Sequence, residues 1–365
     1  MLMSKHIYSF KTAPFTNFSL EKNQTLIREQ IAYVSSELGK SYPLVINGEK
    51  IYTERTIPSL NPGQKDQVVG HVSVADTSLA ERAHQAAQSA FQTWKRVPAA
   101  ERAHYLFEAA KKLAERRHTF SAWLMIESGK NWVEADADTA EAIDFLEYYA
   151  RQMLDLANPD PLLSIDDNVD TSTYIQFPKE DNKLRYIPLG VGICLPPWNF
   201  PLAILAGMTT AAIVTGNTVI LKPSERTSVI GYKFMELLEE VGLPPGVVNY
   251  LPGYGTEIGD FLVDHPQTRF VSFTGSKKVG LRIFERASKT QPGQKWMKRV
   301  VAEMGGKDGL VIDETSDLDR AARDIVASAF GFQGQKCSAG SRAIIVESVY
   351  EEVKEKVLAL TKQLQ

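Results

Sequence analysis

The sequence predicts an α/β fold: a doubly wound parallel sheet of the Rossmann-like, nucleotide-binding kind, with a protruding β-hairpin and the first part of a second α/β domain. Three observations predict it. From Arg185 to Glu303 short apolar runs alternate with segments of 3.6-residue apolar spacing, which places parallel strands beneath covering helices. The loops that close those runs concentrate Gly, Pro, Asn, Lys and Glu, at the strand ends where such sheets bind ligands. Between 157 and 182 the composition turns to Asn, Asp, Pro and Ser around a short run, Thr171 to Phe177, a segment too poor in apolar residues to join the core alone and read as a hairpin. A chain of 365 residues, 44% hydrophobic and 23% charged, is an ordinary globular one long enough for two domains. The expected division is 1–156 with 183–305 as the nucleotide-binding domain, 157–182 as the hairpin, and 306–365 as the incomplete start of the second domain.

In chain order, Tyr42 to Gly48 reads as a strand closed by an Asn-Gly turn, with Ile51 and Tyr52 on the return strand. Leu79–Trp94, Ala99–Arg117 and Phe120–Ser128 carry helical spacing, and Gly129 is placed as a helix stop. The acidic run Glu134 to Phe145 opens a helix that continues to about Leu156. Its charges read as a solvated face, with Glu141 alone near a site mouth. Strands are then expected at Arg185–Leu195, Thr218–Leu221, Val247–Leu251, Phe270–Phe273 and Arg299–Glu303. The helices between them are Leu202–Thr215, Ser228–Val241, Glu257–Val263 and Lys278–Ala287. Leu318–Phe330 reads as a helix ended by Gly331 and Gly334, and a strand follows from Arg342.

Charge and composition narrow the function. A net charge of −3 argues against a nucleic-acid or membrane surface. Met1 to Ile7 is followed by no long apolar segment, so neither a leader nor a spanning helix is expected and the protein is placed in the cytoplasm. In that compartment Cys194 and Cys337 are not expected to pair, and Cys194, inside Val191–Leu195, reads as a core residue. Absence of His-Glu-x-x-His or paired Cys-x-x-Cys patterns implies no metal. Gly253 to Gly259 is one residue too long for the dinucleotide fingerprint, and no P-loop is present.

Cys337 lies on a helix-to-strand loop, in the stretch Phe332-Gln333-Gly334-Gln335-Lys336-Cys337-Ser338-Ala339-Gly340-Ser341-Arg342. A lone cysteine is commonly a small buried hydrophobe. Gln, Lys and Ser around this one point instead to a nucleophile. None of the six histidines has a catalytic setting, and Glu303, between the apolar Val300-Val301-Ala302 and Gly305-Gly306, is the better partner. Desolvation there would make it a base near neutral pH, although a carboxylate ending a strand can equally face water. Three further loops stand out. Trp198-Asn199-Phe200, between Pro197 and Pro201, offers a preorganised amide. Lys222-Pro223-Ser224-Glu225 offers a cation and a carboxylate for ribose or phosphate. Gly275-Ser276-Lys277-Lys278-Val279-Gly280 opens a helix with free N–H groups suited to pyrophosphate. Each glycine loop, taken singly, is also an ordinary tight turn.

Taken together, Glu303-Met304-Gly305-Gly306-Lys307 and Gly334-Gln335-Lys336-Cys337 resemble the glutamate and cysteine motifs of the aldehyde dehydrogenase superfamily. Asn199, Lys222, Gly275, Glu303 and Cys337 stand in that family's order. Over nearly the whole chain the likeness is to the bacterial members that oxidise L-glutamate γ-semialdehyde in proline degradation, through Tyr42 to Gly48, Glu134 to Phe145, Gln291 to Trp296 and Gly334 to Arg342. The resemblance implies an NAD(P)-dependent oxidation: Cys337 attacks the aldehyde, Asn199 and the Cys337 N–H hold the oxyanion, and Glu303 activates the hydrolytic water. It implies cofactor contacts from Trp198, Lys222, Ser224, Glu225, Gly255, Gly275, Ser276 and Gly280. NAD is favoured over NADP because Glu225 repels a 2′-phosphate. Phe200, Lys336 and Ser338 would line the site for a small aldehyde bearing an amine and a carboxylate. The family continues well past residue 365, so a homo-oligomer, assembled in the family through the hairpin, is expected of longer relatives. A truncated chain that is catalytically silent but binds nucleotide is the competing reading. A relative that passes its acyl group to coenzyme A is disfavoured by Glu303, which would waste the thioester.

Overall fold

The computed structural model describes residues 10–157 and 185–364. Apart from Ala157, the hairpin expected at 157–182 lies outside the described residues. A seven-stranded sheet organises the chain. Its strands are β2 (Leu44–Ile46), β3 (Glu49–Ile51), β6 (Val191–Leu195), β7 (Thr218–Leu221), β8 (Val248–Tyr250), β9 (Thr268–Thr274) and β10 (Arg299–Glu303), in the order β10-β9-β6-β7-β8-β2-β3. The five strands from β10 to β8 are mutually parallel, and β2 and β3 add an antiparallel edge. The Asn47-Gly48 turn joins that edge hairpin with both residues at positive φ, 53° and 77°, as the sequence pattern requires.

The order places β6 between β7 and β9, so the chain leaves β6 toward one edge and returns on its other side. Such a switch point opens a crevice at the carboxyl ends of the strands. Those ends carry the loops at Asn199, Lys222, Gly275 and Glu303. β6 is buried on both faces, which is why Val-Gly-Ile-Cys-Leu reads as a continuous apolar run and not as an alternation. Gly192 is fixed by its neighbour: a Cβ there would lie 2.0 Å from the Phe270 ring on β9.

Helices cover both faces. One face packs against α6 (Ala203–Val214) and α7 (Ser228–Glu240), with α3 (Ala99–Glu115), α4 (Arg117–Ser128) and α5 (Trp132–Ala157) layered over them, around Leu106, Leu146, Leu205, Ile213, Phe234 and Leu237. The other packs against α2 (Thr77–Trp94), α8 (Asp260–Asp264) and α9 (Lys277–Ser288), around Ala83, Ile193, Ile220, Leu262 and Ile283. Each fully buried Leu, Ile or Phe of these layers contributes roughly 1.5–3 kcal/mol relative to exposure. α4 ends at Gly129, which takes φ 71° as a helix stop should.

Three features differ from expectation. Glu21–Ser36 is a helix (α1) with weak amphipathic patterning, and it escapes a periodicity reading. Thr56–Asn61 (β4) and Gln64–Ser73 (β5) form a second sheet with Lys40–Tyr42 (β1) that polar residues concealed. The acidic residues of α5 are not one solvated face: Asp136 and Asp138 are buried. Asp136 takes both Arg117 Nε and Nη2 at 2.6 Å, together with the Thr16 amide and hydroxyl. Beyond β10, Asp308–Ile312 (β11) pairs in parallel with Gly340–Ile345 (β12). With α10 (Leu318–Phe330) and α11 (Tyr350–Thr361), they enclose a separate small core of Ile312, Ala321, Ile325 and Val353.

Candidate active site

The cysteine loop begins where α10 ends. Gly331–Gly334 forms a single tight turn in which Phe332, Gln333 and Gly334 take positive φ of 49°, 54° and 68°. Two consecutive non-glycine residues in this region cost on the order of 1–3 kcal/mol each, so the surroundings must hold them. Phe332 is buried and its amide donates to Glu134 Oε1 at 2.6 Å. The Gln335 amide donates to the Phe332 carbonyl at 3.0 Å. This turn delivers Cys337 to the surface as an exposed free thiol, whereas Cys194 is buried, with burial pushing its thiol up to about 12.

Two other loops meet the cysteine loop. Asn199 Nδ2 donates to the Gln335 carbonyl at 2.7 Å, which ties the loop after β6 to the residues just before the nucleophile. Gly306 lies so close to the nucleophile that a Cβ there would stand 2.4 Å from the Cys337 carbonyl oxygen. The glutamate and cysteine motifs are therefore neighbours in space. Glu303 ends β10, and its carbonyl accepts the Gly275 amide at 3.0 Å. Its side chain is exposed, so the desolvation expected from the apolar residues before it is not present. On this strand Arg299, Val301 and Glu303 face outward and only Val300 and Ala302 turn inward, so the apolar run does not enclose the carboxylate.

The loop after β7 assembles a polar cluster. The Lys222 ammonium is buried, 3.3 Å from Glu225 Oε1 and 3.2 Å from the Pro223 carbonyl. Burial lowers its pKa, and Glu225 opposes that shift. Burial works the other way on Glu225, but Lys222 and the Gly255 amide outweigh it and hold the carboxyl below its ordinary range. That amide donates to Glu225 Oε1 at 2.7 Å, so Lys222, Glu225 and Gly255 form one unit. Ser224 Oγ accepts the Arg226 amide, and the Arg226 guanidinium lies 5.8 Å from the Trp198 ring centroid. Behind this loop Glu127 is buried at the start of α7. It accepts the Ser59 hydroxyl at 2.6 Å and the Val229 and Ile230 amides at 2.8 Å each. Burial pushes its carboxyl up to about 7, with those hydrogen bonds opposing.

The remaining sequence-derived residues divide. Ser276 caps α9 by accepting the Val279 amide, beside Gly275. Gly280 lets α9 approach the glutamate motif, since a Cβ there would lie 2.7 Å from Met304 Sδ; its visible role is packing. Phe200 sits edge-on to Phe332, with ring centroids 6.3 Å apart. Lys336 lies back against Gly331, and Ser338 is exposed beside the thiol. Glu134 was not singled out by the sequence, where it belongs to the acidic run read as a solvated face; in the structure Asn131 and Glu134 form a helix capping box. Asn131 Oδ1 does accept the Glu134 amide at 2.9 Å, while the Glu134 carboxylate also serves Phe332.

A model of the aldehyde dehydrogenase family matches residues 50–365. The chain belongs to that family. It is 56% identical over 358 residues to 1-pyrroline-5-carboxylate dehydrogenase of Geobacillus thermodenitrificans, a match covering 98% of this chain and 67% of the relative. Against the Bacillus subtilis protein of the same name the identity is 58% over 351 residues, covering 96% and 66%. Among solved structures, the 1-pyrroline-5-carboxylate dehydrogenase from Thermus with bound NAD superposes with a TM-score of 0.90 at 46% identity, over 98% of this chain and 67% of that one. The chain thus spans about two thirds of the length of these relatives. Of the two aldehyde dehydrogenase motifs legible in the sequence, the glutamate motif begins at the end of β10 and the cysteine motif follows the turn after α10. Among the described residues, no helix is long and apolar enough to cross a membrane.

Proposed function

We propose that this chain carries the catalytic machinery of an NAD-dependent dehydrogenase that oxidises L-glutamate γ-semialdehyde, in equilibrium with 1-pyrroline-5-carboxylate, to L-glutamate in proline degradation. The observation that carries the reading is the meeting of the Asn199 loop and the Gly306 turn at the cysteine loop, in a chain 56% identical to proteins of that name. A cytoplasmic homo-oligomer is the expected setting.

The polar cluster after β7 fits a nucleotide. A carboxylate fixed by a buried ammonium and a backbone amide is an acceptor for ribose hydroxyls, and its charge disfavours a 2′-phosphate. Lys222 and Glu225 would hold the adenosine ribose, with Ser224, Gly255 and Trp198 beside it. Gly275 and Ser276 would face the phosphates at the start of α9. When bound, the nicotinamide supplies the hydride acceptor. The protein's own steps are separate. Cys337 Sγ attacks the aldehyde carbon, and the oxyanion is held by Asn199 Nδ2 and the Cys337 N–H. Loss of hydride leaves a thioester on Cys337. Glu303 takes a proton from water as the water oxygen adds to the thioester carbon, and cleavage of the C–S bond returns the thiolate and releases the carboxylate. Phe200, Lys336 and Ser338 border the thiol and would meet the substrate.

NADH formation by the 365-residue chain with glutamate semialdehyde, measured beside calorimetric NAD binding, tests the reading. Turnover in the chain and none in Cys337→Ala, with NAD bound equally by both, supports it. NAD binding without turnover in the unmodified chain would replace it with a silent, nucleotide-binding aldehyde dehydrogenase chain.

A further inference from the structure

We infer that Lys130 is a positioning residue, clamping the loop of Asn199 to the loop of Cys337 from the turn before α5. The inference rests on the catalytic roles proposed for those loops. The Lys130 ammonium lies 4.0 Å from the Phe200 ring centroid and 4.2 Å from that of Phe332, one ring from each loop. It is buried and paired at 3.3 Å with Asp138 Oδ2, itself wholly buried. The other oxygen, Asp138 Oδ1, accepts the amide of Ala203, the first residue of α6, at 2.7 Å. Between the two, Glu134 Oε1 takes the Phe332 amide. Glu134 and Asp138 stand four residues apart on α5, and Lys130 lies in the turn just before that helix, so one short stretch of chain holds both loops.

Chemistry explains why a cation stands here. A buried ion pair is costly to desolvate and is commonly matched or bettered by apolar packing, so its retention calls for a job that apolar side chains do less well. An ammonium between two ring faces attracts both at once and fixes their separation. The rings are those of Phe200, next to Asn199, and of Phe332, which begins the left-handed turn before Cys337. A leucine could fill the space without tying either ring to Asp138. The clamp thereby sets the geometry in which Asn199 reaches the Gln335 carbonyl.

The test uses the double variant Lys130→Met/Asp138→Asn, which removes both charges together and keeps an acceptor for the Ala203 amide. Hydrogen exchange and steady-state kinetics are measured on the whole chain. Peptides covering 331–337 and 198–203 should exchange about tenfold faster, as for the loss of a local anchor, while peptides from β6 and β7 stay unchanged. kcat should fall about 10²-fold with KM for NAD unaltered, the signature of misplaced reacting groups and not of a weakened nucleotide site. Phe200→Leu, which leaves the ion pair in place and removes one ring, should loosen 331–337 in the same way and serves if the double variant does not fold. Wild-type exchange in both loops of a folded variant overturns the inference, as does loosening spread through β6 and β7. If the unmodified chain makes no NADH, the functional reading falls and the exchange result still decides the clamp.

Discussion

Asn199 Nδ2 donates to the Gln335 carbonyl at 2.7 Å, so the amide proposed for the oxyanion is already oriented by the loop that carries the nucleophile. The bond spans two chain segments that share no secondary structure. It couples the carboxyl end of β6 to the turn after α10, and a polarising group held in this way needs little reorganisation when charge develops beside it. Asn199→Ala should lower kcat by about 10²–10³-fold, the usual loss for one oxyanion donor, with NAD affinity within twofold of the original. Equal losses in kcat and in nucleotide affinity would show that the residue supports the loop and not the oxyanion.

Glu225 should set the choice between nucleotides. Its carboxylate accepts the Gly255 amide at 2.7 Å and pairs with Lys222, which fixes a carboxylate beside the ribose in the nucleotide site proposed above. Glu225→Ser removes that charge and leaves Lys222 free to meet a phosphate. The ratio of kcat/KM for NADP to that for NAD should rise at least about tenfold, even though NAD itself binds more weakly. An unchanged ratio would mean that discrimination lies elsewhere.

Much of this arrangement is legible in the amino-acid sequence, and the reasons are physical. The inner strands of the parallel sheet are buried on both faces, so Val191–Leu195 and Thr218–Leu221 stand out as unbroken apolar runs. Cys337, Glu303 and Asn199 stand out in the sequence because their loops are marked by conspicuous glycines and prolines, and the fold brings the loops of Asn199 and Gly306 to that of Cys337. Sequence reasoning failed where one polar residue does two things. Glu134 reads as part of a solvated acidic face, yet one of its oxygens accepts the Asn131 amide as a helix cap and the other holds Phe332. Asp138 looks like part of a solvated acidic face, and only the packing of α5 against α6 shows it paired with Lys130. The exposure of Glu303 is the opposite failure, because an apolar run says which side chains are buried on a strand and nothing about what covers its end.

Glu127 should give the fold a distinctive pH dependence. Burial raises its carboxyl to about 7 from an ordinary value of 4.5, despite three donors. Between those values the folded state holds a proton that the unfolded chain has released, so stability declines as pH rises through the window and is level above it. The difference amounts to on the order of 3 kcal/mol at most. Glu127→Gln should be less stable overall, because its N–H₂ faces a backbone N–H, but should lack this slope. Chemical denaturation from pH 4.5 to 7.5 checks it. Parallel profiles for the two proteins would mean that the helix-terminal amides keep Glu127 ionised throughout.

Glu303 and Cys337 are assigned to different steps, and the assignment can be separated in one experiment. If the carboxylate acts in hydrolysis, Glu303→Gln still permits thiolate attack and one hydride transfer, since Cys337, Asn199 and the Lys222–Glu225 cluster are untouched. The thioester then persists. Rapid mixing of this variant with NAD and glutamate semialdehyde should release close to one equivalent of NADH in a burst. A steady rate reduced by roughly 10²–10⁴-fold should follow, the usual contribution of a positioned general base. Mass spectrometry of the quenched protein should find the acyl group on Cys337 and none on Cys194, which is buried with its thiol pushed up to about 12. Because Glu303 is exposed, water reaches it without any opening of the fold, and in the unmodified chain the hydrolytic step should not depend on a prior conformational step. A uniformly slow reaction with neither burst nor adduct would move Glu303 to an earlier role, as the base that activates the thiol.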